Sequence, residues 1–378
     1  MGFSEFYGNK ELIGRLREML ARDRFPHAVI LAGPQGAGKY TLALMLARAM
    51  NCQGIGRSGD RVIGTSGTAF ETDGLPDFCG RCDNCRRIAE ALDLDARFAE
   101  AVEAREGLRD TDKRETRILI QTHPDVLVIP PDPPQMMIKV DQVRHVNVTI
   151  RYKPAEARRR VFIFTTATFM KEAANALLKT LEEPPEFATI FLLARNPGEL
   201  LPTIRSRSAV HTLNPLPAEE LEQYLAKQRP KWSVRQRQLA ARLSGGAVGR
   251  ALALDLEQYV AARKDALVLL GTAARAGDHS DLFRTTETYR GGAEGKEKTD
   301  QLVDTLYSLL KDLMALSAGA PELVRNTDIA AELKSLAVAV DFNWIAQAAQ
   351  QLGQVQSGMR RNLLRPLSLD AFALALER

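Results

Sequence analysis

The sequence has no long uncharged apolar run and no signal-peptide pattern at its start, so the expectation is a cytosolic chain without a membrane-spanning helix. It carries little excess charge. A net charge of +4 does not argue for nucleic acid by itself, and any DNA contact has to be a local patch. Only 4 cysteines occur in 378 residues; in a cytosolic protein so few point away from disulfides and towards metal or catalysis. Hydrophobic residues at 45% and charged residues at 26% are ordinary for soluble globular protein. A chain of 378 residues has room for two or three domains, each with its own core.

Gly33-Pro34-Gln35-Gly36-Ala37-Gly38-Lys39-Tyr40 follows the apolar run from His27 to Ala32 and precedes a helical pattern from Thr41 to Met50. Strand, glycine loop and helix form the context that a phosphate-binding loop requires, with the loop amides and the Lys39 ammonium aimed at an anion. One group is missing. The residue after the lysine normally offers a short hydroxyl to a magnesium ion, and here it is Tyr40. The strand Val161-Phe162-Ile163-Phe164 is the natural carrier of the second metal-binding group, yet it runs into Thr165-Thr166-Ala167-Thr168 with no carboxylate. Two independent losses at one site argue against hydrolysis. Gly33, Gly36, Gly38 and Lys39 still describe a phosphate cradle, with Thr41 the nearest remaining hydroxyl, but Tyr40 weighs against nucleotide binding.

Strand and helix patterns alternate up to about residue 210, which predicts a parallel sheet with helices on both faces. Residues 1–26 read as one amphipathic helix, and the charged stretch 92–117 as a solvated helical excursion. Beyond 213 the strand signal disappears: three short helices are expected over 216–254 and a wholly helical remainder. The division is therefore an α/β domain over 1–210, a small helical domain over 211–254 and an all-α domain over 255–378. Segments near 53–77 and 92–120 read as insertions, the first glycine-rich and flexible.

Cys79, Cys82 and Cys85 are spaced as two overlapping C-x-x-C pairs, and Cys52 adds a fourth thiolate from the end of the loop helix. Four sulfurs suit a closed tetrahedral zinc site with a structural role, within a module spanning 52–85; an iron–sulfur cluster on the same ligands, a redox C-x-x-C pair and four unrelated buried cysteines are the weaker alternatives. Leu201-Pro202-Thr203-Ile204-Arg205-Ser206-Arg207-Ser208 places arginines at the rim of the α/β domain, where one can reach a neighbouring subunit's phosphate. Arg250, in Gly246-Ala247-Val248-Gly249-Arg250, is a second candidate phosphate-facing arginine, directed at the chain's own loop.

Ala173-Ala174-Asn175-Ala176-Leu177-Leu178-Lys179-Thr180-Leu181-Glu182-Glu183-Pro184-Pro185, the Arg207 stretch, His123-Pro124-Asp125, Val140-Asp141-Gln142-Val143-Arg144, the cysteine cluster and Arg361-Asn362-Leu363-Leu364 together resemble the subunits of the bacterial clamp loader, an AAA+ assembly of DNA polymerase III. The resemblance implies an AAA+ P-loop domain with an embedded zinc module, a helical lid and a C-terminal collar that joins subunits. Motor subunits of the gamma/tau kind keep an intact loop and an acidic pair; a second kind has lost both but keeps an arginine finger. Tyr40, Thr165 and Thr166 place this chain with the second kind, and Arg207 inherits the finger role, with Ser208 standing where the family has cysteine. The implied partners are gamma/tau motor subunits and a delta subunit, with the sliding clamp and primer–template DNA reached through the assembly; Lys171 and Lys179 are candidate phosphate contacts, with a solvated helix face as the equally weighted alternative. The rival expectation is an active gamma/tau-type ATPase in which Thr41 replaces the lost hydroxyl.

Overall fold

A computed structural model describes residues 2–54, 74–275, 278–359 and 364–377. Most of the glycine-rich insertion, residues 55–73, and the C-terminal Arg361-Asn362-Leu363 lie outside the described residues. The chain forms two compact units, one of residues 1–216 with 247–249 and one of 217–246 with 250–378.

In chain order the first unit comprises α1 (Lys10–Ala21), β1 (Ala28–Ala32), α2 (Lys39–Asn51), α3 (Asp83–Ala89), α4 (Leu94–Glu106), α5 (Asp110–Glu115), β2 (Ile120–His123), β3 (Val126–Ile129), α6 (Val140–Thr149), β4 (Arg160–Phe164), α7 (Lys171–Glu182), β5 (Ala188–Ala194), α8 (Pro202–Arg205) and β6 (Ala209–Thr212). The six strands lie in the order β2-β3-β4-β5-β1-β6. Five run parallel, while β2 pairs antiparallel with β3, so the sheet is mixed rather than all parallel. The reason is local: only Pro124 and Asp125 separate β2 from β3, too few residues for a parallel crossover. A parallel β1 pairs Ala32 with Ala194 of β5, which sets the start of the glycine loop beside the end of β5.

Alternation along the strands sorts the core into two layers. Val29, Leu31, Val161, Ile163, Phe191 and Leu193 face a cluster with Leu16, Leu42, Leu46 and Ile88 from α1–α3. Ile30, Phe162, Phe164, Ile190 and Leu192 face the other side, with Val143, Val146, Leu177 and Leu181 from α6 and α7. Helices thus cover both faces of the sheet, and the cysteine-bearing α3 belongs to the same layer as the loop helix α2.

The single helix expected over 1–26 is interrupted: Gly8 at φ 81° and Asn9 at φ 51° turn the chain through the left-handed region, so α1 starts only at Lys10. The expected excursion over 92–117 divides into α4 and α5, and it is not merely a solvated face, because Arg105 is buried against Asp132.

The second unit is helical throughout: α9 (Ala218–Gln228), α10 (Val234–Leu243), α11 (Val248–Ala253), α12 (Leu256–Ala274), α13 (Ser280–Glu287), α14 (Gly292–Ser317), α15 (Ala330–Ala339), α16 (Phe342–Met359) and α17 (Arg365–Leu374), with α11 beginning in the first unit. Its core gathers Leu269, Leu306, Leu309, Leu333, Trp344, Leu352 and Phe372. Among the described residues no helix is long and apolar enough to cross a membrane.

Candidate functional site

Three glycines give the loop after β1 its shape. Gly33, Gly36 and Gly38 take φ of 145°, 80° and 86°, values that side chains rarely adopt. At Gly33 a Cβ would also lie 2.6 Å from the Leu213 carbonyl, so only glycine fits. Lys39 is the first residue of α2, and its Nζ donates to the carbonyls of Gly33 (2.6 Å) and Pro34 (2.7 Å), which curls the ammonium back over the loop. Burial and the neighbouring Arg195 guanidinium pull the Lys39 pKa down, against the opposing charge of Glu199. Arg195 follows β5; its guanidinium donates to Gln35 Oε1 at 3.3 Å, and its backbone N–H to Glu199 Oε2. Its place at the loop follows from strand pairing alone, and nothing in the local sequence announced it.

Tyr40 does not block the cradle. Its hydroxyl donates to the carbonyl of Ala91 at 2.6 Å, in the turn after α3, and burial pushes its phenol pKa up. The side chain thus links α2 to the cysteine-bearing segment. Replacing Tyr40 with phenylalanine leaves the buried Ala91 carbonyl without that donor and is expected to destabilise the chain by about 1–2 kcal/mol, measured by urea unfolding. Thr41 is half-buried in the first turn of α2.

Beyond β4, Thr166 Oγ1 accepts from the Thr168 N–H and donates to its Oγ1, both at 3.2 Å, closing a local turn. The Thr165 N–H continues the sheet by donating to the Ile129 carbonyl. The edge where a metal-binding carboxylate would stand therefore carries hydroxyls, which cannot balance a dication's charge or accept a proton.

Arg207 follows α8 and is half-buried. Its Nη2 lies 2.7 Å from Glu182 Oε1, at the end of α7, and its Nη1 donates to the Thr203 carbonyl and to Ser206 Oγ. Glu182 is thus an ion-pair partner that the sequence motif contains but does not assign. Arg250 is exposed and belongs to the second unit. Residues 247–249 belong to the first: the Gly249 N–H donates to the Gly36 carbonyl at 2.8 Å, and a Cβ on Gly249 would lie 3.0 Å from that oxygen. His123-Pro124-Asp125 has a structural task, since the Asp125 carboxylate accepts the N–H groups of Ala155, Glu156 and Ala157. Lys171 and Lys179 are both exposed on α7.

The four cysteines come together. The Sγ atoms of Cys52, Cys79, Cys82 and Cys85 all lie within 4.8 Å of one another, a group able to hold a metal ion. Cys52 ends α2, Cys82 caps α3 and Cys85 sits inside α3. Backbone N–H groups already point at sulfur: Cys79 N–H at Cys52 Sγ and Cys82 N–H at Cys79 Sγ, both at 3.3 Å. The Cys85 thiol, donating to Cys52, holds Cys52 well below the usual thiol range and is itself pushed up by the same bond. Around the sulfurs, Asn84 Nδ2 donates to the Asn51 carbonyl (2.9 Å), and Arg158 Nη2 to the Cys52 carbonyl (3.2 Å). Such an outer shell fixes the ligand backbone.

A mainly parallel sheet whose β1 passes through a glycine loop and a lysine into a helix defines an α/β protein of the P-loop class. The chain belongs to the family described as "DNA polymerase III, delta subunit", whose profile matches residues 8–217. It is 26% identical over 352 residues to DNA polymerase III subunit tau of Escherichia coli K12, covering 93% of this chain and 42% of that protein. It is 33% identical over 217 residues to DNA polymerase III subunit delta' of the same organism, covering 57% of this chain and 62% of that protein. The chain therefore spans less than half the length of this tau relative. A solved gamma subunit-related protein from Thermotoga maritima aligns over 96% of this chain and 98% of its own at 17% identity, with a TM-score of 0.39.

Proposed function

We propose that this chain is a clamp-loader subunit of the delta-prime kind, which does not hydrolyse ATP and lends Arg207 to an adjacent motor subunit. The observation that carries the reading is the combination of a loop without its metal-binding partners and a rim arginine that keeps its guanidinium. The Tyr40 hydroxyl is engaged by Ala91, and β4 ends at Phe164 and runs into Thr165 and Thr166. On this reading the chain works beside gamma/tau motor subunits and a delta subunit, in the cytoplasm, during loading of a sliding clamp onto primer–template DNA. Arg207 supplies positive charge to the neighbour's transferring phosphoryl group, where a single arginine has a large effect on rate. The sheet domain, a lid over 211–254 and a collar over 255–378 divide the labour as the family's layout implies.

Zinc is the metal that four thiolates suit best, in a closed tetrahedral site with no position open to substrate. Its role here is to clamp the segment ending in α3 to the end of α2. Gly33, Gly36, Gly38 and Lys39 are inherited scaffold.

A second reading, a gamma/tau-type ATPase using Thr41 as metal ligand, draws support from the tau relative, which matches far more of this chain than the delta' relative does. The missing carboxylates after β4 weigh against it. One assay separates the two: the purified full chain with magnesium and ATP is expected to show no turnover above a Lys39→Ala control. Measurable turnover removed by that substitution would overturn the non-hydrolysing reading. Purification of the tagged chain from its own cells is expected to bring motor and delta subunits with it.

A further inference from the structure

The whole chain carries a net charge of only +4, yet residues 223–246 hold six cations and no carboxylate: Lys227, Arg229, Lys231, Arg235, Arg237 and Arg242. They lie on the end of α9, the turn after it and α10, all within the second unit. Lys227, Lys231 and Arg235 are exposed, and among the described residues their side chains make no hydrogen bond or ion pair. Arg229, Arg237 and Arg242 donate only to backbone carbonyls, those of Leu252 (2.8 Å), Trp232 (2.8 Å) and, for Arg242, Val324 (3.1 Å) and Glu322 (3.4 Å).

The neighbouring acids are placed elsewhere. Glu219 and Glu220 are in the first turn of α9, whereas Lys227 is in its last, and Glu222 is turned about 140° from Lys227 around the axis. Asp328, on the segment packed against α10, is already held by Arg263 at 2.6 Å. Local helix stability does not explain the cations either: Arg235 stands in the first turn of α10, which has no acid, against the helix dipole.

Trp232 stands in the middle of this run. It is half-buried, is not among the residues of the apolar cores, and its Nε1 makes no hydrogen bond among the described residues. The Arg229 guanidinium lies 5.7 Å from its ring centroid. The other tryptophan, Trp344, is by contrast buried and donates its indole N–H to the Leu376 carbonyl at 2.8 Å. A solvated cationic face needs no indole. An acidic peptide would use the cations but not the ring, whereas a single strand of nucleic acid uses both, with phosphates on the cations and a base stacked on the indole. We infer that the turn between α9 and α10 is a docking surface for single-stranded nucleic acid. It uses neither the glycine loop nor α7, and it does not rest on the finger role of Arg207.

The test is an anisotropy titration of a fluorescently labelled oligothymidylate of about 16 nucleotides with the full chain at several salt concentrations. Binding is expected with a log–log salt slope of about −2 to −3. Lys231→Gln with Arg235→Gln is expected to weaken it about tenfold and to flatten the slope by about 1.4. Trp232→Ala is expected to weaken it about tenfold with the slope unchanged. Circular dichroism reports the fold of each variant. Lys231 and Arg235 are exposed, so the charge variant decides the matter even if Trp232→Ala unfolds. With Trp344 buried, quenching of intrinsic fluorescence by the unlabelled strand is expected from Trp232 and is lost in Trp232→Phe. Lys171→Gln with Lys179→Gln, on α7, is expected to leave that quenching in place. Three outcomes would overturn the inference: no salt-dependent binding, binding indifferent to the Lys231 and Arg235 changes, or displacement of the strand by polyglutamate at equal charge with no quenching of Trp232, which marks a site for an acidic protein.

Discussion

Replacing Arg207 with alanine is expected to lower ATP turnover of the reconstituted assembly by about a thousandfold or more, the scale on which arginine fingers act. The assembly should stay together. In this chain the guanidinium makes one partly exposed ion pair with Glu182, and such pairs contribute no more than about 1 kcal/mol, so folding survives the loss. Arg207→Lys is expected to restore little, because an ammonium lacks the planar fork that a phosphoryl group engages. The comparison that matters is turnover per assembled complex, with assembly followed by size-exclusion chromatography. Wild-type turnover from an intact Arg207→Ala complex would remove the finger from the proposal. Glu182→Gln, which removes the ion pair but keeps the guanidinium and its bonds to Thr203 and Ser206, is expected to leave turnover within a fewfold of wild type.

The second large effect concerns the metal group. Cys85 is fully buried in the layer that contains α2, and its replacement by serine leaves three thiols around a site built for four. The expected cost is on the order of 3–5 kcal/mol, the range for loss of a buried structural centre, seen as a lowered unfolding midpoint. Chelation should do the same to the unaltered chain, since binding free energy at a structural site is folding free energy. Elemental analysis of carefully purified protein is expected to give about one zinc per chain. An unfolding midpoint indifferent to a strong chelator, with metal content far below that, would leave the cluster as four unliganded cysteines.

The features legible in the sequence were those fixed by local spacing. Glycines at 33, 36 and 38 before Lys39, cysteines at 79, 82 and 85, and the apolar run of β4 each specify their geometry within a few residues. Short edge strands were not legible. β6 is only Ala209–Thr212 with alternating partial exposure, and β2 is Ile120–His123; pairing with β1 and β3 makes them strands, not their own composition. Side-chain destinations were equally hidden. The sequence shows that Tyr40 is not a short hydroxyl, but not that its phenol bonds to a carbonyl 51 residues onward. Likewise Arg195 reaches the loop only because β5 lies beside β1, and Asp132 inside a proline cluster gave no sign that it would be buried beneath Arg105.

Helix α2 has 13 residues and is therefore about 20 Å long, with the glycine loop at one end and Cys52 at the other. Its peptide dipoles add along that length. The positive end faces the cradle at Gly38, and the negative end faces four sulfurs, an arrangement that repels thiolates unless a dication lies among them. The two ends of one helix thus call for opposite charges, an anion above and a metal cation below. On the zinc reading, removing the metal leaves the lower end electrostatically unfavourable, at a last turn that Asn51 ties to Arg159 and Asn84.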